Sequence, residues 1–400
     1  MKVPFSPPDI SEAEVEAVSA ALRSGWITTG PRTKELERRI AQYVGTKYAC
    51  CLNSQTACGE MALRILGIGP GDEVIVPAYT YTATASVVCH VGATLKMADC
   101  QKGSLQMDYD QVAALITENT KAIIAVDLGG IPCDYERLFE IAQEKRSLFR
   151  PQGAVQEAMG RVAIIADTAH ALGAKIGERA VGSVADFSAF SFHAVKNITT
   201  AEGGVLTWRT IPGVEDEEIY RKLQLLSLHG QSKDALAKTQ LGSWEYDVVG
   251  PWYKCNMTDI AAAMGLAQLD RYPGMLERRR ALIAAYDQAL KSAGVEVLAH
   301  YTDSYTSSGH LYITKIPGIT TQQRNEIICR MAEKEIACNV HYKPLPMHTA
   351  YKNLGFCIDD YPNAYAHFSR EITLPLHTCL TDAQQAYVID SFLEILKDYR

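Results

Sequence analysis

The stretch TKAIIAVDL (residues 120–128), followed by DYERLFEIAQEK (134–145) and RVAIIAD (161–167), sets the architecture of this chain. Two short, almost wholly apolar runs flank a segment whose apolar residues recur at helical spacing. A strand that is apolar at every position has no solvated side, so it belongs in a sheet covered on both faces. Two such strands joined by a helix make a parallel βαβ unit. The same alternation precedes this unit: YACCLN (48–53) leads into helix ACGEMALRILG (57–67), and DEVIVPA (72–78) into TATASVVCHVG (82–92). Ahead of these lie two helices. SEAEVEAVSAALRSG (11–25) has Ser11 as N-cap, acids in its first turn and Gly25 as its stop; TKELERRIAQYVG (33–45) is amphipathic. The segment SLFRPQGAVQEAMG (147–160) breaks the rhythm and reads as a surface insertion.

From about residue 270 the character shifts. A helix interrupted at YPG (272–274) resumes as MLERRRALIAAYDQAL, followed by HLYITKI (310–316), a helix around QQRNEIICRMAEKE (322–335) and ACNVHYKPL (337–345). The expected organisation is an N-terminal segment and large α/β domain over residues 1–269, with a mainly parallel sheet flanked by helices. A smaller α+β domain is expected over residues 270–400. There is no internal repeat and no low-complexity segment.

Composition narrows the function. The formal net charge of −7 argues against a nucleic-acid or anionic-membrane binder, which needs a basic face. Apolar runs such as VAIIA are too short to span a bilayer, and MKVPFSPPDISEAE carries prolines and acids where a signal peptide needs an apolar run. The 11 cysteines are odd in number and lack C-x-x-C spacing, so neither a disulfide framework nor a zinc site is indicated. A cytoplasmic location is expected.

Open α/β sheets bind ligands beyond the carboxyl ends of their strands. Three such ends carry suggestive chemistry. In LNSQTACGEMAL (52–63) a helix begins near Thr56, and its free N–H groups beside the Ser54 and Thr56 hydroxyls suit a phosphate; ordinary N-capping is the alternative. No G-x-x-x-x-G-K-[ST] or G-x-G-x-x-G is present here. In RVAIIADTAHALGA (161–174) Asp167 ends an apolar strand, where a carboxylate needs a cation or a donor; a helix cap is the alternative. In ADFSAFSFHAVK (185–196) a strand ends on Ser191, His193 and Lys196, the sole Lys or Arg between Arg179 and Arg209. A solvated surface lysine is the ordinary reading, but a desolvated one has a lowered pKa and is a nucleophile. A phosphate cradle, a buried acid and a solitary lysine together suit pyridoxal phosphate. Tyr81, just past another strand end, could cover the ring or simply pack in the core.

With these residues assembled, the chain resembles the sugar aminotransferases of the DegT/DnrJ/EryC1/StrS family over nearly its whole length. The resemblance is carried by GWITTGP (25–31), FSFHAVKNITTAEGG (190–204), YKCNMTDIAAAMGLAQL (253–269), VHYKPL (340–345) and LPLHTCLT (374–381), in that order. It implies fold type I of the pyridoxal-phosphate enzymes and a homodimer with shared active sites. Carried over by motif, Lys196 is the Schiff-base lysine and Asp167 meets the pyridine nitrogen. His170 stands beside the cofactor's phenolic oxygen, and Tyr81 stacks on the ring. Ser191 and Thr56 hold the phosphate with the neighbouring Gln55, joined by Asn256 of the partner subunit. His193, His341 and Lys343 are candidates for the substrate side. Two features depart from the family: Gln55 stands where Gly or Ala is usual, and the 147–160 segment is longer than the usual connection.

The resemblance implies a ping-pong transamination. An amino donor, glutamate in the family, converts pyridoxal 5'-phosphate to pyridoxamine phosphate, and a nucleotide-linked keto-sugar then takes the amino group. Such enzymes serve amino-sugar biosynthesis for surface polysaccharides, glycans or antibiotics. Two alternatives belong to other classes. A sugar dehydratase of the same fold replaces the lysine by histidine, and a non-catalytic regulatory member would lose the lysine or the acid; both residues are present here.

Overall fold

The computed structural model of the chain describes residues 1–232 and 245–399. Five strands come first: β1 (Ala49–Leu52), β2 (Glu73–Pro77), β3 (Thr94–Ala98), β4 (Thr120–Val126) and β5 (Ala163–Asp167). Two short strands, β6 (Lys175–Ile176) and β7 (Arg179–Ala180), precede β8 (Phe187–Ser191) and β9 (Gly204–Trp208). The last four are β10 (Glu296–Val297), β11 (Tyr305–Thr306), β12 (Tyr312–Lys315) and β13 (Glu371–Leu374). The main sheet has the order β1-β9-β8-β5-β4-β2-β3. β9 runs antiparallel to both of its neighbours, and every other adjacent pair is parallel. The carboxyl ends of β1, β2, β4, β5 and β8 therefore share one edge. β4 and β5, buried along almost their whole length, lie at the centre of the order, as the apolar runs AIIAV and AIIA require.

Register brings three sequence-distant points together at that edge. Gly204 pairs with Leu52 on one side and with Ser191 on the other. A Cβ on Gly204 would lie 2.4 Å from the Ser54 carbonyl carbon and 2.5 Å from the Gln55 nitrogen, so only glycine lets the helix Gln55–Ile65 start this close to the sheet. The glycine pair after the solitary lysine is thus a packing requirement.

A second, antiparallel sheet, β10-β12-β13, packs with the helices Thr321–Glu333 and Asp382–Leu396 around its own apolar cluster. Val3 belongs to that cluster and bonds through its backbone to Glu335 and Ala337. The N-terminal residues therefore join the unit expected over 270–400. The boundary expected at 270 also falls inside a single helix, Asp259–Ser292, which runs through Pro273 without a break. Proline removes one backbone bond and crowds the preceding turn, at a cost of about 3 kcal/mol. Buried Leu269, Tyr272 and Met275 hold the helix on both sides of it, and the Tyr272 hydroxyl donates to the Leu172 carbonyl at 2.6 Å.

The 147–160 segment is more than a surface insertion. Gln156 is buried and donates to the Leu66 carbonyl at 2.8 Å, Phe149 is buried, and the Arg150 carbonyl accepts from the buried Lys121 ammonium at 2.8 Å. The segment forms a fitted cover that contacts the amino-terminal end of β4.

One carboxylate explains why GWITTGP and YKCNMTDI occur together. Gly30 begins the helix Pro31–Val44 without a side-chain cap. Fully buried Asp259 caps it from a distance, accepting from the backbone N–H groups of Gly30, Arg32 and Thr33 at 2.8, 3.0 and 2.9 Å, and from the Thr33 hydroxyl at 2.7 Å.

Gly204→Ala is expected to destabilise the chain by about 1–3 kcal/mol through overpacking against backbone, and to weaken ligand binding at the start of the helix Gln55–Ile65. Urea denaturation monitored by circular dichroism, with and without pyridoxal phosphate, measures both effects. An unchanged midpoint and unchanged affinity would contradict this packing.

Candidate active site

The shared strand edge opens into a cavity of about 550 Å³ lined by residues from every one of these strand ends. Lys196, Asp167, His170, Ser191, Gln55, Thr56 and Tyr81 all line it, as do His193 and His341. Lys343 and Asn256 are not among its lining residues.

Asp167 ends β5 on the cavity floor and is buried. No helix follows it, so it is not a cap; turns do, and its Oδ1 accepts from the Ala169 N–H at 3.2 Å. Its Oδ2 accepts from the Thr84 hydroxyl at 2.7 Å, and Thr84 is itself bonded to Thr80 at 2.9 Å. Burial still pushes the Asp167 carboxyl above its usual range, against the opposing effects of Thr84, Ala169, Lys196 and Gln55. Gln55 is buried and turned toward Asp167, so the bulk that departs from the family's small residue supports the acid.

Lys196 sits in the turn between β8 and β9, half-buried, with its N–H bonded to the His193 carbonyl. Burial lowers its ammonium to about 8, and the attraction of Asp167 offsets this only in part. The next residue anchors the turn. Asn197 donates to the Ser308 carbonyl at 2.9 Å and pairs with His310 Nδ1 at 2.8 Å, and the His310 ring lies 4.3 Å from that of His170.

His170 is buried and held neutral, well below its ordinary pKa, first by burial and then by Lys196 and His341. Its Nδ1 accepts from the Gly129 N–H at 3.2 Å, so the ring proton resides on Nε2 and faces the Tyr342 hydroxyl at 3.2 Å. Tyr81 is 60% exposed and tilts over the cavity 5.8 Å from the Tyr342 ring. His193 is exposed at the mouth, 3.6 Å from Glu202.

At the phosphate-sized end, the Ser54 hydroxyl is committed to capping: it accepts from Ala57 N–H at 3.1 Å. The N–H groups of Gln55 and Thr56 open the 11-residue helix beside the Thr56 and Ser191 hydroxyls. A helix start for an anion, a neutralisable lysine and a buried carboxyl fit pyridoxal phosphate. Asn256 lies outside the cavity, paired with Thr29 at 2.5 Å and with Lys254. Lys343 is exposed.

Thr84, Tyr342 and Asn339 also belong to the site and were not singled out from the sequence. The Thr80/Thr84 pair at i, i+4 past a strand end was a usable signal for the first. Tyr342 stands between two residues that were chosen, but its contact with His170 spans 172 positions.

The lowered pKa of Lys196 sets a pH signature. Below about 8 the side chain is an ammonium, and above it a neutral amine. Reconstitution of apoprotein with pyridoxal phosphate should accelerate roughly tenfold per pH unit on the acid side and level off above that value, as stopped-flow absorbance can follow. A rate still climbing toward pH ~10 would indicate an ordinary surface lysine.

Comparison with known proteins identifies the family. The chain is 36% identical over 402 residues to the spore coat polysaccharide biosynthesis protein SpsC of Bacillus subtilis, covering 99% of this chain and 97% of SpsC. Its structure matches Spr1654 of Streptococcus pneumoniae, designated a sugar aminotransferase. In the PLP form the match has a TM-score of 0.97 at 54% identity and covers 100% of both chains. The PMP form of Spr1654 matches with the same TM-score at 56% identity. Helicobacter pylori PseC, an aminotransferase involved in the biosynthesis of pseudoaminic acid, matches with a TM-score of 0.86 at 26% identity, covering 100% of both chains. The DegT/DnrJ/EryC1/StrS aminotransferase family model matches residues 8–393, and the chain belongs to that family.

Proposed function

We propose that the chain transfers an amino group from L-glutamate to a keto-sugar carried on a nucleotide diphosphate, as a cytoplasmic homodimer engaged in amino-sugar biosynthesis. The observation that carries this reading is a lysine whose ammonium is lowered to about 8, sharing one cavity with a buried aspartate and a helix start. Pyridoxal 5'-phosphate is the cofactor, and when bound it supplies an aldehyde that carries nitrogen from donor to acceptor while its ring withdraws electrons.

The chain's own residues do the rest. Asp167 holds a proton at the pyridine nitrogen, and Thr84 and the Ala169 N–H fix the carboxylate for that task. Lys196, neutral above about pH 8, takes a proton from the donor's α-carbon and returns one to the sugar carbon. His170 and Tyr342 set the polarity beside the ring, and the N–H groups of Gln55 and Thr56 orient the phosphate. A cavity of about 550 Å³ leaves room for an acceptor beside the cofactor.

The dimer reading is supported by what one chain leaves open. Tyr81 is 60% exposed at the cavity, Val195 39% and Ile27 of GWITTGP 49%. Asn256 of the partner subunit would complete the phosphate site. The cytoplasmic reading is supported by the eleven cysteines, all free, and by the lack of any membrane-length apolar helix among the described residues.

Lys196→Ala should abolish turnover with the fold retained, and Asn256→Ala should be strongly impaired. Mixed after subunit exchange, the two should recover activity through one intact site per heterodimer; no recovery after verified exchange would exclude a shared site. With pyridoxamine phosphate loaded, removing the nucleotide from the keto-sugar should lower kcat as well as raise KM. Binding energy remote from the reacting carbon positions it, a contribution of up to roughly 7–11 kcal/mol. Equal kcat/KM for linked and free sugar, or efficient turnover of pyruvate, would overturn the substrate assignment.

A further inference from the structure

A second line of acid–base groups, besides Lys196, reaches the cavity through His341. Glu371 begins β13 fully buried, and so does Thr373 two residues on, their side chains on the same face of the strand. The Thr373 hydroxyl bonds Glu371 Oε1 and also lies 2.9 Å from His341 Nδ1. Glu371 Oε2 accepts the His341 N–H at 3.0 Å. The Tyr79 hydroxyl donates to the His341 carbonyl at 2.9 Å, and Phe5 stacks on the imidazole with centroids 5.5 Å apart. The ring is thus gripped on its backbone, one face and one nitrogen. Its other nitrogen, Nε2, has no hydrogen-bond partner among the described residues, and His341 lines the cavity that Lys196 occupies.

We propose that Glu371, Thr373 and His341 form a proton relay that delivers a proton to an oxygen of the substrate bound in this cavity and recovers one from the nitrogen that replaces it. In one state Glu371 is protonated on Oε1 and donates to Thr373 Oγ1, Thr373 donates to His341 Nδ1, and Nε2–H points outward. Transfer moves the Glu371 proton to Thr373, the Thr373 proton to Nδ1 and the Nε2 proton to the substrate oxygen. Glu371 is left as a carboxylate, Nδ1 carries the ring hydrogen, and Nε2 is an acceptor. The reverse shift recharges Glu371, so the imidazole exchanges tautomers and is never a cation. This suits a ring that burial and Lys196 hold near a pKa of about 3, beside a carboxyl that burial pushes up to about 8. When a ketone oxygen is replaced by nitrogen, the oxygen leaves as water and two protons pass from nitrogen to oxygen. The relay carries one of them: Nε2–H protonates the oxygen and Nε2 is recharged by a proton from the nitrogen, while the other passes from nitrogen to oxygen directly. His341 is the catalytic member, and Thr373 and Glu371 are positioning residues.

This role rests on the aminotransferase reading only for the identity of the oxygen; the relay is measurable without substrate. The charged and titratable groups facing it are Lys196 across the cavity, Arg324 and Cys338 against Glu371, and Tyr79, Tyr342 and His170 around the ring. In holoenzyme labelled with ¹⁵N-histidine, His341 is assigned by His341→Phe and its ring nitrogens are read by NMR from pH ~6 to ~10. The expected result is Nε2–H at low pH and Nδ1–H at high pH, changing over near the Glu371 value of about 8. Glu371→Gln, which cannot ionise, should hold Nε2–H throughout. Thr373→Val should uncouple the tautomer from pH and lower kcat by roughly 10²-fold with KM little changed, and Thr373→Ser should restore both. A single tautomer across the range in wild type would overturn the relay, as would a changeover that persists in Glu371→Gln. If Glu371→Gln does not fold, the wild-type series and the Thr373 pair decide. Should the changeover appear in a protein that aminates no keto-sugar, the relay stands and the substrate reading fails.

Discussion

A carboxylate at the end of a central strand is out of contact with bulk water and must be solvated by the protein. Asp167 meets that constraint with one hydroxyl from the helix after β2, one backbone N–H from its own turn, the Gln55 amide and the nearby Lys196. Each donor comes from a different strand end, and five parallel strand ends on one edge are what make such convergence possible. The incomplete compensation is itself functional. A carboxyl raised by burial and an ammonium lowered by it are the pair that a cofactor with a basic ring nitrogen and an aldehyde can satisfy.

Much of this was legible in sequence, because the strongest signals are local. β4 and β5 carry the apolar runs AIIAV and AIIA, Lys196 is isolated between Arg179 and Arg209, and Asp167 closes a hydrophobic run. What stayed hidden depends on contacts across the chain. Thr84 reaches Asp167 over 83 positions and Tyr342 reaches His170 over 172. Neither residue type is unusual where it stands. Ser54 shows the opposite limit: its position suggested a ligand contact, yet its hydroxyl is spent on the helix cap. The 147–160 segment reads as superficial in sequence because Phe149 and Gln156 carry no periodic pattern that announces burial.

Two of the chain's buried carboxylates do unlike work. Asp259 accepts four donors and organises a helix it does not belong to, so the entry of the N-terminal segment is specified by a residue 229 positions away from Gly30. Glu371 accepts fewer, retains a proton readily, and borders the cavity through Thr373 and His341.

The unbroken helix Asp259–Ser292 has a mechanical corollary. Its 34 residues span roughly 50 Å and carry one element from the Asp259 clamp to the second sheet. A rod of this length transmits rotation and resists folding at its middle, so the two sheets cannot swing about residue 270 as a door swings on a pin. Any relative motion must be taken up as slight bowing distributed along the rod, or as sliding of loops such as 339–343 against the cavity. The chain cannot be divided at 270 into self-sufficient parts either, since each piece would keep only a fragment of the rod with its greasy side bare to water.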